Sequence, residues 1–478
     1  MAPKPLTNDW DILVSYATGD DLNNLLKNSW AGLLGTSEIE HSDEDFGYKA
    51  KLEKPSLEIT GNDLKATLHV DLTGTFWSND WSDDGDGDKP TYKFEDYEYR
   101  LSITAPIGSI DGDQTMHSGD NVITFDQKST DAHQIVLHMQ NQKLKWKSVD
   151  ADPGNKKAKI GKALAAMAVG KVEDYVRSPN NIRWLDIKLG EVNNVENKET
   201  KSDLKALFQP KSFKLATRPG ALDIFIQTVS AQGLASPSFD VKNSAFDTSD
   251  YNGAIILSHR LFQDLYLVPQ IQKHCTKLAK DGDKHGRVTA NKVDSGFQLE
   301  LVFDKKETLS ERGATFGFGY NSSAQEITLD FANYPVKLNI VNNEKKMPHA
   351  TWEWNYDFTV HWKDTIYNYD MPDRVVYDSS TINAKIGDNK SDIATLEDNN
   401  LDFNFAFKTE FQPKMTIPDK TTDKYKNIHV TFDVFKFGLD ELQYFASTNV
   451  FAPGQHFIDL KTVRAPHDLF VMGKMKPS

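Results

Sequence analysis

The side chains best suited by type and spacing to do chemistry form an acidic run. Asp84, Asp86 and Asp88, followed by Glu95, mimic positions 1, 3, 5 and 12 of an EF-hand loop, in which clustered oxygens hold calcium. Lys89 stands where that loop needs glycine, Pro90 follows it, and strand patterns rather than helices flank the run. A solvated hairpin tip without metal is expected. His133 and His138 fall on a predicted strand at positions that point to opposite faces. His274 and Cys275 are adjacent on a predicted helix, where neighbours diverge by about 100° and do not jointly grip an ion. Glu353 and Asp357 share a predicted strand face about 13 Å apart, wider than either glycosidase spacing. After Gly317 and Gly319 of the Gly313–Tyr320 stretch, Ser322 takes the place of the third glycine of a nucleotide fingerprint, so a bend in a curved sheet is expected there. The G-x-S-x-G, H-E-x-x-H and phosphate-loop signatures are absent. The expectation is a non-enzyme with no catalytic residue, no metal and no cofactor.

Any binding surface must be positioned by a chain of 478 residues, 38% of them apolar. That suffices for two or three cores and is too apolar for a disordered chain. With 55 Lys and Arg against 69 Asp and Glu, the net charge is −14. This balance argues against nucleic acid as a partner and against broad adsorption to anionic membranes. The mean hydropathy is −0.55, and no apolar run reaches the ~20 residues of a transmembrane helix. The single cysteine, Cys275, excludes an internal disulfide and a cysteine-based zinc cluster, and reads as a small buried hydrophobe.

Alternation dominates the chain. Leu64, Ala66, Leu68, Val70 and Leu72 occupy every second position, as do Leu222, Ile224 and Ile226, then Phe297, Leu299, Leu301 and Phe303. Such patterns describe antiparallel strands with one buried face, and the 27 Phe and 16 Tyr favour strands further. The longest pattern, Thr351–Lys363, places Trp352, Trp354, Tyr356, Phe358, Val360 and Trp362 on one face of a strand about 40 Å long. Hydrophilic stretches at 148–159, 191–203, 387–400 and 413–427 read as loops or hairpin tips.

Two helical stripes are long enough to cover such strands. Leu22, Leu25, Leu26, Trp30 and Leu33 form the first, after a Thr18/Asp21 capping box. Leu261, Phe262, Leu265, Val268, Ile271, Cys275 and Leu278 form the second, after Ser258, with Pro269 as a kink. An Ala-rich third candidate spans Lys162–Val176. Each half thus reads as a helix followed by long strands, and the Arg218-Pro219-Gly220 turn is the expected divide, giving units 1–217 and 218–478.

Three short motifs carry a family resemblance. The opening Thr7-Asn8-Asp9-Trp10-Asp11, with Asp9 in place of a glycine, precedes a helix containing Asn23. The midpoint carries Gly220-Ala221-Leu222-Asp223-Ile224-Phe225-Ile226-Gln227-Thr228. Near the C-terminus stand Phe451-Ala452-Pro453-Gly454 and Ala465-Pro466-His467-Asp468-Leu469-Phe470-Val471-Met472-Gly473. Together they resemble the clostridial OrfX-type and forty-seven-kilodalton accessory proteins of botulinum neurotoxin gene clusters, which resemble the TULIP superfamily. The resemblance implies an α+β, β-rich fold of two TULIP-like units, each a long helix wrapped by a strongly curved antiparallel sheet. It also implies lipid or phosphoinositide, toxin or sister accessory proteins as partners. The opening residues lack the basic start and apolar stretch of a signal peptide. Cytoplasmic synthesis and release with a toxin complex by a non-classical route are therefore expected.

The reading is a lipid- or protein-binding accessory component whose groove is lined by Leu22, Leu25, Leu26, Trp30, Leu261, Phe262, Leu265, Val268, Ile271, Trp352, Trp354 and Phe358. Two rivals stand beside it. One is a β-rich hydrolase or isomerase acting on an apolar or glycan substrate. The other is a carbohydrate-binding module with Trp352, Trp354 and Trp362 as wet platforms.

Overall fold

The computed structural model describes residues 6–18, 23, 38–42, 46–53, 55–78, 92–111, 116–118, 122–128, 130–138, 145–150, 186–196, 198, 207–230, 250–267, 269–270, 286–293, 296–303, 306–317, 319–330, 336–341, 349–353, 355–368, 371–386, 391–392, 394–397, 400–413, 431–438, 440–451, 458–464 and 468–474. The chain forms two compact units. One consists chiefly of His259–Asp440 with Thr462–Phe470; the other consists of Pro5–Ser258, Glu441–Lys461 and Val471–Ser478.

In the unit that begins at Pro5, the strands in chain order are β1 (Ile12–Ala17), β2 (Glu38–Ser42), β3 (Phe46–Leu52), β4 (Ser56–Glu58), β5 (Lys65–Ser78), β6 (Tyr92–Ile110) and β7 (Met116–Ser118). They continue with β8 (Ile123–Thr124), β9 (Ala132–His138), β10 (Lys145–Asp150), β11 (Asp186–Asn193), β12 (Pro210–Arg218), β13 (Ala221–Thr228) and β14 (Gly253–Leu257). Two sheets result. In the seven-stranded sheet, Asp459–Arg464 and Leu469–Lys474 lead into β14, β1, β13, β12 and β8. The ten-stranded sheet follows the order β2, β3, β5, β6, β9, β11 and Val450–Phe451, with β10 and β7 on β6 and β4 on β5.

The seven-stranded sheet departs from simple alternation. Every residue of β13 and β14 is buried, so Ala221, Asp223, Phe225 and Gln227 are as enclosed as Leu222, Ile224 and Ile226. Runs such as Gly253-Ala-Ile-Ile-Leu257 are apolar on both faces, and both faces of their sheet are covered. Left-handed backbone marks its turns. Gly220 (φ 77°) closes the β12–β13 hairpin, so the Arg218-Pro219-Gly220 turn is the tip of a hairpin within this unit. Asn8 and Asp9 (φ 49° and 67°) turn the chain into β1, and the Trp10 amide donates to the Thr7 carbonyl at 2.9 Å.

The ten-stranded sheet keeps the alternation. Ala66, Leu68 and Val70 of β5 are buried, whereas Lys65 is exposed and Thr67, His69 and Asp71 are half-buried. At its far edge, Asn193 donates through Nδ2 to the Thr448 carbonyl at 2.6 Å, and Asn449 donates to the Val195 carbonyl at 2.8 Å. This amide clamp ties β11 to the short helix Asp440–Tyr444 and its π-helical continuation Phe445–Asn449.

The other unit holds a five-stranded sheet, in which Gly286–Val293, Gly296–Phe303, Val336–Val341, His349–Glu353 and Ser391–Asp392 are successive neighbours. Its second sheet is a meander of long strands that includes Lys306–Gly317, Gly319–Asp330, Asn355–Asn368, Met371–Ile386 and Asn400–Pro413. Gly317 pairs with Gly319 across a tight hairpin tip, which accounts for the glycine-rich stretch. The single strand expected over Thr351–Lys363 is two. His349–Glu353 pairs with Val336–Val341 and Asn355–Asn368 pairs with Met371–Ile386, so the two strands belong to different sheets. Glu353 and Asp357 therefore do not share one strand. Three predicted loops also carry strand: β10 covers residues 148–150, β11 reaches Asn193, and Ser391–Asp392 and Ala394–Glu397 lie within 387–400.

Neither long helix is shown among the described residues. The first stripe, Leu22, Leu25, Leu26, Trp30 and Leu33, lies outside the described residues; Asn23 beside it is helical, and its Oδ1 accepts from the Leu57 amide at 2.7 Å. The second is an eight-residue π-helix, Arg260–Leu267, with Pro269 and Gln270 helical beyond it. The Ala-rich segment Lys162–Val176, the acidic run at 84–88, and His274 and Cys275 lie outside the described residues.

Candidate functional site

A helix with 3.6 residues per turn would group Leu261 with Leu265 and Val268. The π-helix repeats through i→i+5 bonds instead, which aligns Leu261 with Tyr266 and Phe262 with Leu267. All four of these are buried, with Leu261 and Leu267 at 0% exposure. The rings of Phe262 and Tyr266 stack with centroids 6.3 Å apart. Leu265 moves to the margin and is half-buried, beside exposed Asp264. Pro269 has no N–H to return to the Leu265 carbonyl, and that missing donor is the one sign in the sequence that regular α-helix is interrupted here.

Of the other predicted groove residues, Leu22, Leu25, Leu26, Trp30, Val268, Ile271 and Trp354 lie outside the described residues. Trp352 and Phe358 lie on strands, but their side chains are not described; Glu353 and Asn355 are exposed. Leu261, Phe262 and Leu265 are thus the predicted lining residues whose surroundings are visible.

Two polar constellations were not legible in the sequence. The first is in the seven-stranded sheet. Asp223 receives Arg218 Nε at 2.5 Å and Nη2 at 2.9 Å, and also the Ser15 hydroxyl at 2.6 Å. Arg218 Nη2 donates to Ser15 Oγ at 3.2 Å. Asp11 accepts from the Thr228 amide at 2.9 Å and from its hydroxyl at 3.0 Å. Ser15 and Asp11 have no exposure at all. A carboxylate that already accepts three bonds beside a hydroxyl sealed from solvent fixes strand register and does not meet a substrate.

The second constellation lies along the outward face of β5 and β6. Glu58 Oε2 is 3.1 Å from His69 Nε2, and His69 Nδ1 is 2.8 Å from Ser102 Oγ. Nε2 thus faces the carboxylate, and the bond between Nδ1 and the Ser102 hydroxyl can run in either direction, since a hydroxyl both donates and accepts. One rung away Thr67 and Thr104 share a hydrogen bond at 2.8 Å, and on the other side Arg100 grips Asp71 through Nε at 2.6 Å and Nη2 at 2.9 Å. That grip holds the Asp71 carboxyl below its ordinary range and raises Arg100. Glu58, His69 and Ser102 have the composition of a hydrolytic triad. However, Ser102 pairs with His69 on one side and Lys147 on the other, so its backbone is committed to the ladder rather than to an oxyanion hole. Only the alternation of polar residues along β5 hints at this track; its cross-strand partners depend on register. His133 is buried edge-on against Phe125 and Phe213, with centroids 5.2 and 5.7 Å away, while His138 is half-buried.

Among the described residues, no three His, Cys, Asp or Glu side chains gather to hold a metal ion, and no helix is long and apolar enough to cross a membrane.

Several solved structures align with the chain along almost its whole length. P47 of Clostridium botulinum E1 aligns with 98% of this chain and 99% of its own at 12% identity and a TM-score of 0.45. P47 from Clostridium botulinum A2 aligns over 98% of both chains at 10% identity and a TM-score of 0.44. A lipopolysaccharide binding protein aligns over 98% of this chain and 99% of its own at 8% identity and a TM-score of 0.23. The chain thus resembles the P47 proteins, the group to which its three short motifs point. No family model matches it, and no curated protein does.

Proposed function

We propose that this protein is a non-enzymatic, TULIP-like binding component of a toxin system, made in the cytoplasm, which holds an acyl-bearing lipid or a partner protein through an apolar groove. The observation that carries this reading is the π-helix. It presents Leu261, Phe262, Tyr266 and Leu267 as one buried apolar and aromatic face, with half-buried Leu265 at its margin, in a β-rich unit of long strands. A wide helix turn holding aromatic side chains forms a groove wall as readily as a core, and π-helical segments recur at binding sites. The three motifs that resemble the OrfX-type proteins support the toxin setting.

Native mass spectrometry of the purified protein, followed by solvent extraction and lipid analysis, tests the reading. Copurified lipid is expected. Leu265→Trp should lower its occupancy while leaving the melting temperature within a few degrees. No lipid in the wild type, together with a melting temperature lowered by Leu265→Trp, would instead describe a groove packed solid, and the lipid-binding reading would be abandoned for this unit.

A further inference from the structure

We propose that the outward face of β2, β3 and β5 is a saccharide-binding platform on which Trp77 stacks against a neutral pyranose ring. This goes beyond the groove reading and rests on different residues. Trp77 ends the outward row of β5 that contains Lys65, Thr67, His69 and Asp71; the buried Ala66, Leu68 and Val70 point the other way. A half-exposed indole on the polar face of a sheet is not there to fill the core behind it.

Its setting is specific. Trp77 is directly opposite Gly47 on β3, and a Cβ at Gly47 would lie 2.1 Å from the indole ring. Glycine is therefore what lets the ring lie down against the neighbouring strand, with its outer face turned away from it. Register places the rim. Ser42 of β2 is opposite Gly47, Glu40 is opposite Lys49, and Lys49 is opposite Thr75. Ser42, Glu40 and Lys49 are exposed and Thr75 is half-buried. The next rung pairs Glu38 with Lys51.

Chemistry selects the ligand. Glu38, Glu40 and Glu53, the last paired with Lys51 at 3.3 Å, balance Lys49, Lys51 and Lys93, which register sets opposite Trp77, so the surroundings carry no net charge and favour neither an anion nor a cation. A pyranose combines an apolar C–H face for the indole with a belt of hydroxyls that donate to carboxylates and accept from ammonium and hydroxyl groups.

Affinity electrophoresis of the full chain through gels containing soluble β-glucan, xylan, galactomannan or glycol chitin, with serum albumin as the non-binding reference, tests the proposal. Retardation in at least one gel is expected. Trp77→Ala should weaken it by about tenfold, the scale of one aromatic stacking contact. Exposed Glu40→Ala and Lys49→Ala should each weaken it by about threefold, the scale of a net hydrogen bond at a wet rim. No retardation in any gel overturns the proposal, as does retardation unchanged by Trp77→Ala. If Trp77→Ala fails to fold, Glu40→Ala and Lys49→Ala decide: wild-type retardation in both assigns the indole to shielding Gly47 alone and overturns the platform.

Discussion

The same ion pair occurs twice in one unit, in opposite settings. Arg218 grips Asp223 and Arg100 grips Asp71, each through Nε and Nη2. In the seven-stranded sheet the two side chains are 7% and 1% exposed; in the ten-stranded sheet they are 52% and 47% exposed. Identical chemistry thus serves two ends. Where both faces of the sheet are covered, the pair must be complete, because each charge has lost its water. Where one face is wet, the pair is one rung of a polar track and solvent shares the work.

The largest expected effect separates these settings. Asp223→Ala leaves a buried guanidinium without its carboxylate and should cost about 3–5 kcal/mol in urea unfolding. Replacing both partners by apolar residues, as in Arg218→Met with Asp223→Leu, should recover most of that loss. A loss below about 1 kcal/mol for Asp223→Ala would mean that the covered sheet admits water, and the contrast would collapse.

Next comes an alkaline effect in the covered sheet. Burial pushes the Tyr16 hydroxyl well above its ordinary pKa. A raised acid keeps its proton in the folded state while the unfolded chain ionises, so its contribution is intact below the unfolded value and is lost as pH rises beyond it. Stability should fall by about 1.4 kcal/mol per pH unit above ~10. Tyr16→Phe should flatten that slope in a pH series of urea titrations.

On the wet face the effects are smaller. Asp71→Ala should cost under about 1 kcal/mol and shrink further in high salt. Because Arg100 lowers the Asp71 carboxyl, the contribution of the pair is present above the ordinary carboxylate value and fades as pH falls through the folded one. Asp71→Asn should remove that acid-side dependence. The smallest effect is at the turn into β1, where Asp9→Gly relieves a left-handed backbone that Asp already tolerates. A gain of no more than about 0.5 kcal/mol is expected in the same assay, since glycine also loosens the unfolded chain.

The contrast also explains what the sequence made legible. Alternation along β5 located that strand and its buried Ala66, Leu68 and Val70, because a half-wet sheet writes its two faces into every second residue. β13 was located as well, but Asp223 looked like an outward residue, since alternation carries no signal that a second face is covered. Arg218 stands in a Pro-Gly turn, and nothing in that motif signals that it pairs with Asp223 across the hairpin. The chemistry of Leu261 and Phe262 was visible, but their grouping with Tyr266 and Leu267 required a helical period that the apolar pattern alone does not specify. Glu58, His69 and Ser102 come from three strands, and a register fixed by the whole sheet is what unites them.

The interleaving of the two units has a consequence in time. The unit that begins at Pro5 is not complete at Ser258; it also needs Glu441–Lys461 and Val471–Ser478, which leave the ribosome after His259–Asp440. At about 5–20 residues per second, translation of the intervening His259–Asp440 takes on the order of 10–40 s. For that interval β14 lacks its neighbour Leu469–Lys474, and β11 lacks both Val450–Phe451 and the Asn449 amide. Two strand edges, one of them the apolar β14, therefore wait in the cell before they are sealed, and a nascent chain in that state is the natural client of a chaperone that shields open sheet edges.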